Sequence, residues 1–450
     1  MRPSHAAITL SFLAACVTTA TGFDPVNGDW SKSDGTDLRV MTWNVQDGIC
    51  SSNDKVDNTG DWNGIVRTIA AMQPDVLILQ ECADNSGNGT GSGADNVTVL
   101  TQVIELMMHG GNDPFRANTP VTSYVQLFVP DYDLPHIFVS ANTDGFNRNV
   151  ILSRYPFADI NGGGGSTLSN FIVGADAYQG GGTGGIRGFM WAEIDLPDDV
   201  YEGNLVIGNA HLKAGGSSSD FADRIEAAEN TAYYIDYYYN GAGTGTSDPN
   251  GRVFLPTAGN VLDANTPVIW GGDLNQRPGN GPVEFLTRAQ FQGGTDGTDR
   301  DRSDSSRDSA VQPVSGETST QGSSSKLDYL CWQDSIADTR RTFIFRSIGS
   351  GMSAGNLPFP VDGFPGNPLI ASSLASDHRP VLADFMLPLA PASCRADLAE
   401  PFDVLNFFDI AAYIGFFNAG DPTADFAAPF GVINFFDIAE YIAQFNAGCP

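Results

Sequence analysis

The chain has 450 residues, 41% of them hydrophobic, enough for one large core and a second, smaller unit. Its 23 Lys and Arg stand against 53 Asp and Glu, a formal charge of -30, so its field repels polyanions and excludes a protein that coats nucleic acid along its length. The same acidity suits a soluble protein, or one that gathers divalent cations.

At the N-terminus an apolar run from Ala6 to Val17 is followed by the small and polar residues Thr18 to Gly22. That is the layout of a secretory signal over residues 1–22, and the run is too short for a membrane span. Cleavage after Ala20 or Gly22 would release a secreted, extracellular protein. Leu13-Ala14-Ala15-Cys16 also fits the box before a lipid-modified bacterial cysteine, which would give an anchored lipoprotein instead.

Strands are predicted at Leu38 to Trp43, Val76 to Leu79, Val150 to Leu152, Phe189 to Ile194, Leu205 to Asn209, Val268 to Trp270, Leu327 to Cys331 and Val381 to Phe385. Apolar residues return at helical spacing over Trp62 to Met72 and Asp220 to Tyr238. Short strands interleaved with helices imply a mixed α/β layered domain. Asn161 to Gly185 is Gly-rich, and Gly293 to Ser325 is an Asp, Ser, Thr and Gly tract. Both carry too little apolar surface to pack and are expected to be surface loops. Outside the signal the cysteines are Cys50, Cys82, Cys331, Cys394 and Cys449, an odd set. Cys394 and Cys449 bracket the tail and form the best pair; Cys50 and Cys82 could pair, which leaves Cys331 as a buried thiol.

Composition changes near residue 390. Residues 24–388 read as the main domain, 389–393 as a linker and 394–450 as a duplicated tail. Pro401-Phe402-Asp403-Val404-Leu405-Asn406-Phe407-Phe408-Asp409 recurs 28 residues later as Pro429-Phe430-Gly431-Val432-Ile433-Asn434-Phe435-Phe436-Asp437, and each copy closes on Asn-Ala-Gly, a helix-stop signal.

Polar residues gather at the predicted strand ends. Asn44 ends the first strand, where an amide can hold a phosphate or a metal-bound water. Glu81 follows the second and is a hard oxygen ligand suited to magnesium. His211 follows Leu205-Val206-Ile207-Gly208-Asn209-Ala210, where an imidazole can donate a proton near neutrality. Asp273 and Asn275, two apart after Val268-Ile269-Trp270-Gly271-Gly272, point to one side of an extended segment. Ser376-Asp377-His378-Arg379-Pro380 precedes the last strand with an adjacent carboxylate and imidazole, and Asp328 can orient a histidine.

In order and placement these segments resemble the signature of the endonuclease/exonuclease/phosphatase superfamily, which includes DNase I-like nucleases, over about residues 38–388. The resemblance implies a four-layer α-β-β-α sandwich with its site at one end. It implies Glu81 as ligand of a Mg2+ or Mn2+ ion with Asn44 beside it, and Asp377 completing the acidic cluster. Asp273 and Asn275 would position water and phosphate, His378 with Asp328 would act as base or phosphate clamp, and His211 would stand opposite. Arg154 and Asn149, around Val150-Ile151-Leu152-Ser153, match family positions at the substrate phosphate. The family cleaves DNA, RNA, sphingomyelin and other phosphoesters, and its core residues do not separate them. The compartment favours a nuclease acting on extracellular DNA or RNA. A lipid or small-molecule phosphoesterase, or a non-catalytic scaffold acting through its tail, are the other readings. The tail resembles the Gly-Cys-ending bacterial dockerin repeats and implies a small all-α unit with a cohesin-like or cell-surface partner. Asp397, Asn406 and Asp409, then Asp425, Asn434 and Asp437, are its candidate Ca2+ ligands. Most early-loop ligand positions hold Ala, Pro or Phe, so a packed helical pair without metal is equally open. Phe407, Phe408, Phe435 and Phe436 are expected in its core.

Overall fold

The computed structural model describes residues 22–50, 55, 59–82, 97–114, 116–141, 147–170, 189–235, 239, 262–276, 281–283, 306–390, 394–402, 404–427 and 431–448. Of the expected signal, residues 1–22, all but Gly22 lie outside them. In chain order the elements are β1 (Leu38–Asn44), α1 (Asp61–Met72), β2 (Val76–Gln80), α2 (Val97–His109), β3 (Gly111–Asp113), β4 (Thr119–Val121), α3 (Val125–Phe128), β5 (His136–Val139), β6 (Val150–Ser153), β7 (Thr167–Asn170), β8 (Phe189–Ile194) and β9 (Leu205–His211). There follow α4 (Ser218–Tyr234), β10 (Val268–Asp273), β11 (Ser306–Arg307), β12 (Asp328–Trp332), β13 (Asp338–Ile344), α5 (Ala371–Ala375), β14 (Val381–Met386), α6 (Phe407–Ala419) and α7 (Phe435–Ala447).

Two six-stranded sheets form, ordered β13-β14-β1-β2-β6-β5 and β11-β12-β10-β9-β8-β7. Alternation along each strand explains their stacking. In β1, Leu38 and Val40 face the inter-sheet core, while Met41 and Trp43 face the helices. In β9, Leu205 and Ile207 face inward and Val206 outward. Helices α1, α2 and α5 cover the first sheet and α4 the second, which gives the expected α-β-β-α layering. Each fully buried Leu, Ile or Val contributes roughly 1.5–3 kcal/mol.

Helix α1 follows from Trp62, Ile65, Val66, Ile69 and Met72 at helical spacing, and it ends where Gln73 takes a left-handed conformation before Pro74. Ser217 and Asp220 close a capping box on α4, fixing its start slightly earlier than expected; residues 236–238 of the expected helix lie outside the described residues.

Several expectations are corrected. Part of the Gly-rich tract is the edge strand β7, paired with β8. Within the second polar tract, residues 306–325 are fastened to the sheets, with Ser306 and Arg307 paired to β12, and bridges from Val311 to Phe343 and from Gln321 to His378. Backbone hydrogen bonds hold these segments, with Leu168 and Ala310 packing against the cores. Cys50, Cys82 and Cys331 are all buried and outside disulfides, so the Cys50–Cys82 pair is not formed. Cys394 is disulfide-bonded; its expected partner Cys449 lies outside the described residues.

In the tail, α6 and α7 both start from an asparagine N-cap and a capping box, Asn406 with Asp409 and Asn434 with Asp437. Tyr413 and Tyr441 stack with ring centroids 3.9 Å apart, and Phe426 stands edge-on to both. Partly buried Ile410, Phe417, Ile438 and Phe445 complete that core. With this space filled, Phe407, Phe408, Phe435 and Phe436 are 61–74% exposed in the first helical turns, against expectation.

Candidate active site

The inward-facing register of the strands changes character toward one end of the sandwich. Positions 38 and 40, 76 and 78, 205 and 207, and 269 are apolar; the next inward positions are Thr42, Asn44, Gln80, Asn209, His211 and Asp273. Asp328 joins them because β12 runs antiparallel to β10 and pairs it with Asp273, while parallel β9 pairs His211 with Asp273. All seven are buried.

Asp273 is the centre of the cluster. Its Oδ2 accepts a hydrogen bond from Asn44 Nδ2 at 3.1 Å and lies 3.3 Å from His211 Nε2 and 3.8 Å from His378 Nε2. Its Oδ1 accepts the Asn275 N–H at 2.9 Å, and Asn275 Nδ2 donates to the Leu212 carbonyl at 3.0 Å. Asn275 thus fixes the carboxylate rather than reaching outward. The strand can bend here because Gly272 has φ +138°, where a Cβ would lie 1.8 Å from the Ala210 carbonyl oxygen. Glu81 and Asn275 also hold positive φ, +52° and +47°, the kind of strain that functional sites retain.

His378 Nδ1 sits 2.9 and 3.1 Å from the two carboxylate oxygens of Asp328. Its backbone N–H donates to Ser376 Oγ at 3.0 Å, and that hydroxyl donates to the Asn44 carbonyl at 2.7 Å. Trp43 Nε1 donates to the His378 carbonyl at 3.1 Å. Charges reinforce this geometry. Burial opposes ionisation of Asp273, yet His211 and His378 hold its carboxyl below the usual range. Burial alone would lower the His378 imidazole, but Asp328 and Asp273 override it and raise it to about 10, so the ring is a cation at neutral pH. Burial, with the adjacent Asp273 charge, raises the Asp328 carboxyl against the pull of His378.

Beneath the site a polar layer joins the sheets. Gln80 Nε2 donates to Asn209 Oδ1 at 2.9 Å and Thr42 Oγ1 at 3.2 Å, while Asn209 Nδ2 donates to the Leu79 and Val150 carbonyls at 2.9 Å each. Strand parity could have disclosed Thr42, Gln80 and Asn209 in the sequence.

The remaining expected residues lie partly at the site end of the sandwich, as Asn149 does, and partly away from it. Asn149, next to Val150, lies buried beside the end of β2, where its carbonyl accepts the Ser140 N–H. Arg154 is at the opposite end of the sandwich: β6 runs antiparallel to β2, so the residue after β6 meets the start of β2, and Arg154 pairs with Asp75 at 3.1 Å. Asp377 is exposed on the rim, its N–H bonded to Gln46 Oε1 and its carboxylate accepting from Gln321 Nε2 at 3.2 Å. In the tail, Asp409 accepts the Leu398, Ala399 and Asn406 N–H groups, and Asp437 those of Ala427 and Asn434. Asn406 and Asn434 cap the Phe408 and Phe436 N–H groups, and Asp425 accepts that of Gly431. Oxygens of Asn406, Asp409, Asp425, Asn434 and Asp437, all expected on calcium, therefore serve helix ends and turns.

A hard divalent cation fits one side of the cluster. Glu81, whose Oε1 is 3.7 Å from His211 Nε2, stands partly exposed near Asn44 and Asp273, an oxygen-rich set of the kind magnesium prefers. One ligand atom each from Asp273, Asp328 and His378 also lies within 4.8 Å of the others, but there Asp328 and the His378 Nδ1 edge already engage each other.

A four-layer α/β sandwich whose inward strand ends carry ionised Asp273 between two imidazoles, beside a carboxylate for a hard cation, is the architecture of a hydrolytic enzyme acting on phosphoesters. The chain belongs to the endonuclease/exonuclease/phosphatase family, whose model matches residues 41–378; its members hydrolyse phosphoester bonds and are generally metal-dependent. Among solved structures it is similar to an endonuclease/exonuclease/phosphatase from Beutenbergia cavernae (17% identity, 78% of this chain and 72% of that one, TM-score 0.39). It is also similar to sphingomyelinase C from Streptomyces griseocarneus (15%, 77% and 99%, 0.41) and to the human Nocturnin catalytic domain (15%, 78% and 93%, 0.39). Likenesses at this level do not bear on what the chain acts on. No curated protein matches it. Among the described residues no helix is long and apolar enough to cross a membrane.

Proposed function

We propose that the chain is a secreted, divalent-metal-dependent phosphodiesterase, a nuclease that hydrolyses extracellular DNA or RNA. The observation that carries the reading is the convergence of Asn44, His211 and His378 on one oxygen of ionised Asp273. Held by Glu81 with Asn44 beside it, Mg2+ or Mn2+ would supply charge neutralisation at the phosphate. Asp273, locked by Asn275, orients the attacking water and draws its proton. His378, turned by Asp328, presents a charged Nε2–H to a phosphate oxygen, and His211 faces the leaving group from the other side of Asp273. Arg154, at the far end, is left out of the phosphate site. Preference for nucleic acid rests on the signal-like N-terminus and the abundance of phosphodiesters outside cells. For the tail, the exposed Phe407, Phe408, Phe435 and Phe436 support a docking role toward a cohesin-like or cell-surface partner.

Plasmid DNA, RNA and sphingomyelin, each incubated with magnesium or manganese, separate the substrate readings. DNA or RNA should be cleaved, and His378→Ala should slow that cleavage by roughly 100- to 10,000-fold. Undiminished cleavage by the variant would remove His378 from the site, and turnover of sphingomyelin alone would replace the nuclease reading.

A further inference from the structure

Thr320 lies in the polar tract and is fully buried. Its Oγ1 accepts two backbone N–H groups, those of Leu327 at 2.9 Å and of Asp328 at 3.2 Å. Its carbonyl oxygen accepts the Arg379 N–H at 2.8 Å, and its own N–H donates to the Ser325 carbonyl at 2.8 Å. One residue thus holds the backbone of Asp328 from one side and the residue after His378 from the other. The neighbouring bridge between Gln321 and His378 continues the seam. The two N–H groups converge on a single buried oxygen, which ties the start of the Asp328 strand to the tract. The mutual placement of the Asp328 carboxylate and the His378 ring, 2.9 Å apart, therefore passes through Thr320.

We infer that Thr320 is a positioning residue for phosphoester hydrolysis, setting the Asp328–His378 pair through its side-chain oxygen on the Asp328 backbone and its carbonyl oxygen on the N–H of Arg379, the residue after His378. The inference rests on the reading of His378 as catalytic. Ser376 brackets His378 on its other flank through its hydroxyl, so the histidine is fixed from both sides by small hydroxyl residues. The tract's polar composition, which argues against a packed segment, suits this role: the contacts need hydroxyl and backbone groups.

Hydrolysis of bis-p-nitrophenyl phosphate with manganese by the full chain tests it, with kcat expressed per folded molecule and His378→Ala alongside. Thr320→Val keeps the shape and loses the hydroxyl; it should lower kcat by about 10- to 100-fold and leave KM within about twofold. Thr320→Ser should restore kcat to within about threefold of the starting chain. The low-field proton signal of the imidazole N–H facing Asp328 should persist in the Ser variant and shift or vanish in the Val variant. A folded Thr320→Val with unchanged kcat overturns the inference, as do Ser and Val variants impaired alike, since the hydroxyl that Ser retains would then not be what sets kcat. If Val does not fold, Thr320→Ala takes its place with the same expectation; failure of both to fold counts against a specific positioning role. An inactive starting chain, or an active His378→Ala, sinks the catalytic reading and this inference with it. An inactive His378→Ala beside a fully active Thr320→Val sinks only the inference.

Discussion

At the scale of single residues, the proposed function turns on Asp273. It is buried, held ionised by two imidazoles, and bonded to Asn44 and Asn275. Asp273→Asn keeps the shape but removes the charge that opposes His211 and His378, so kcat should fall by at least about 1,000-fold. Steady-state hydrolysis by the folded variant checks this; a loss below tenfold would move the centre of the chemistry elsewhere. Much of this cluster was legible from letters alone, because Asn44, His211, Asp273 and Asp328 stand at strand ends where a period of two already predicts a shared face. Arg154 was misread for a physical reason. A motif match fixes a residue's neighbours along the chain, whereas the antiparallel pairing of β6 with β2 decides which end of the sandwich it occupies. Thr320 gave no signal at all, since its partners Asp328 and Arg379 come from two other segments and its own tract reads as solvent-facing.

At the scale of elements, the strands with continuous apolar runs were readable and the edges were not. β5, β7 and β13 have one neighbour each and mix polar residues into their sequence, so periodicity alone does not separate them from loops. Helix α2 carries Leu100, Val103, Ile104, Met107 and Met108 at helical spacing, a pattern present in the letters but not drawn from them. One polar exception within a strand has a measurable consequence. Glu193 of β8 is 3% exposed, and its carboxylate accepts the Ile160 and Asn161 N–H groups. Burial raises its carboxyl from 4.5 to about 7 against the pull of those N–H groups. Between these two values the folded chain holds a proton that the unfolded chain has released. This group's contribution to stability is therefore full below pH 4.5 and is lost as pH rises toward about 7. Glu193→Gln should remove that slope, which urea unfolding at a series of pH values from 4.5 to 8 would show. An identical slope in the variant would assign the pH dependence to other groups.

For the whole molecule, an enzyme sandwich and a duplicated tail differ in what they leave exposed. The proposed catalytic groups are recessed between the sheets, whereas the tail presents paired phenylalanines. The duplication was plain in the sequence; which of its aromatics fill the core was not, because Tyr413, Phe426 and Tyr441 take the space that the Phe-Phe pairs were expected to occupy. Phe407→Ser combined with Phe435→Ser should change unfolding free energy by no more than about 0.5 kcal/mol per site, as for other exposed positions, and leave kcat unaltered. A large loss of stability would show that these rings pack after all. The central claim concerns the other part of the molecule: Asp273 and its neighbours, with a divalent cation at Glu81, hydrolyse phosphodiesters. Its most direct measurement is the rate of bis-p-nitrophenyl phosphate hydrolysis by the purified full chain, first after chelation and then on titration with magnesium or manganese, in parallel with Glu81→Gln. The rate should vanish on chelation, return saturably with either cation, and in the variant return only at much higher metal concentration. Hydrolysis that persists through chelation, or a Glu81→Gln chain with unchanged metal dependence, would contradict it.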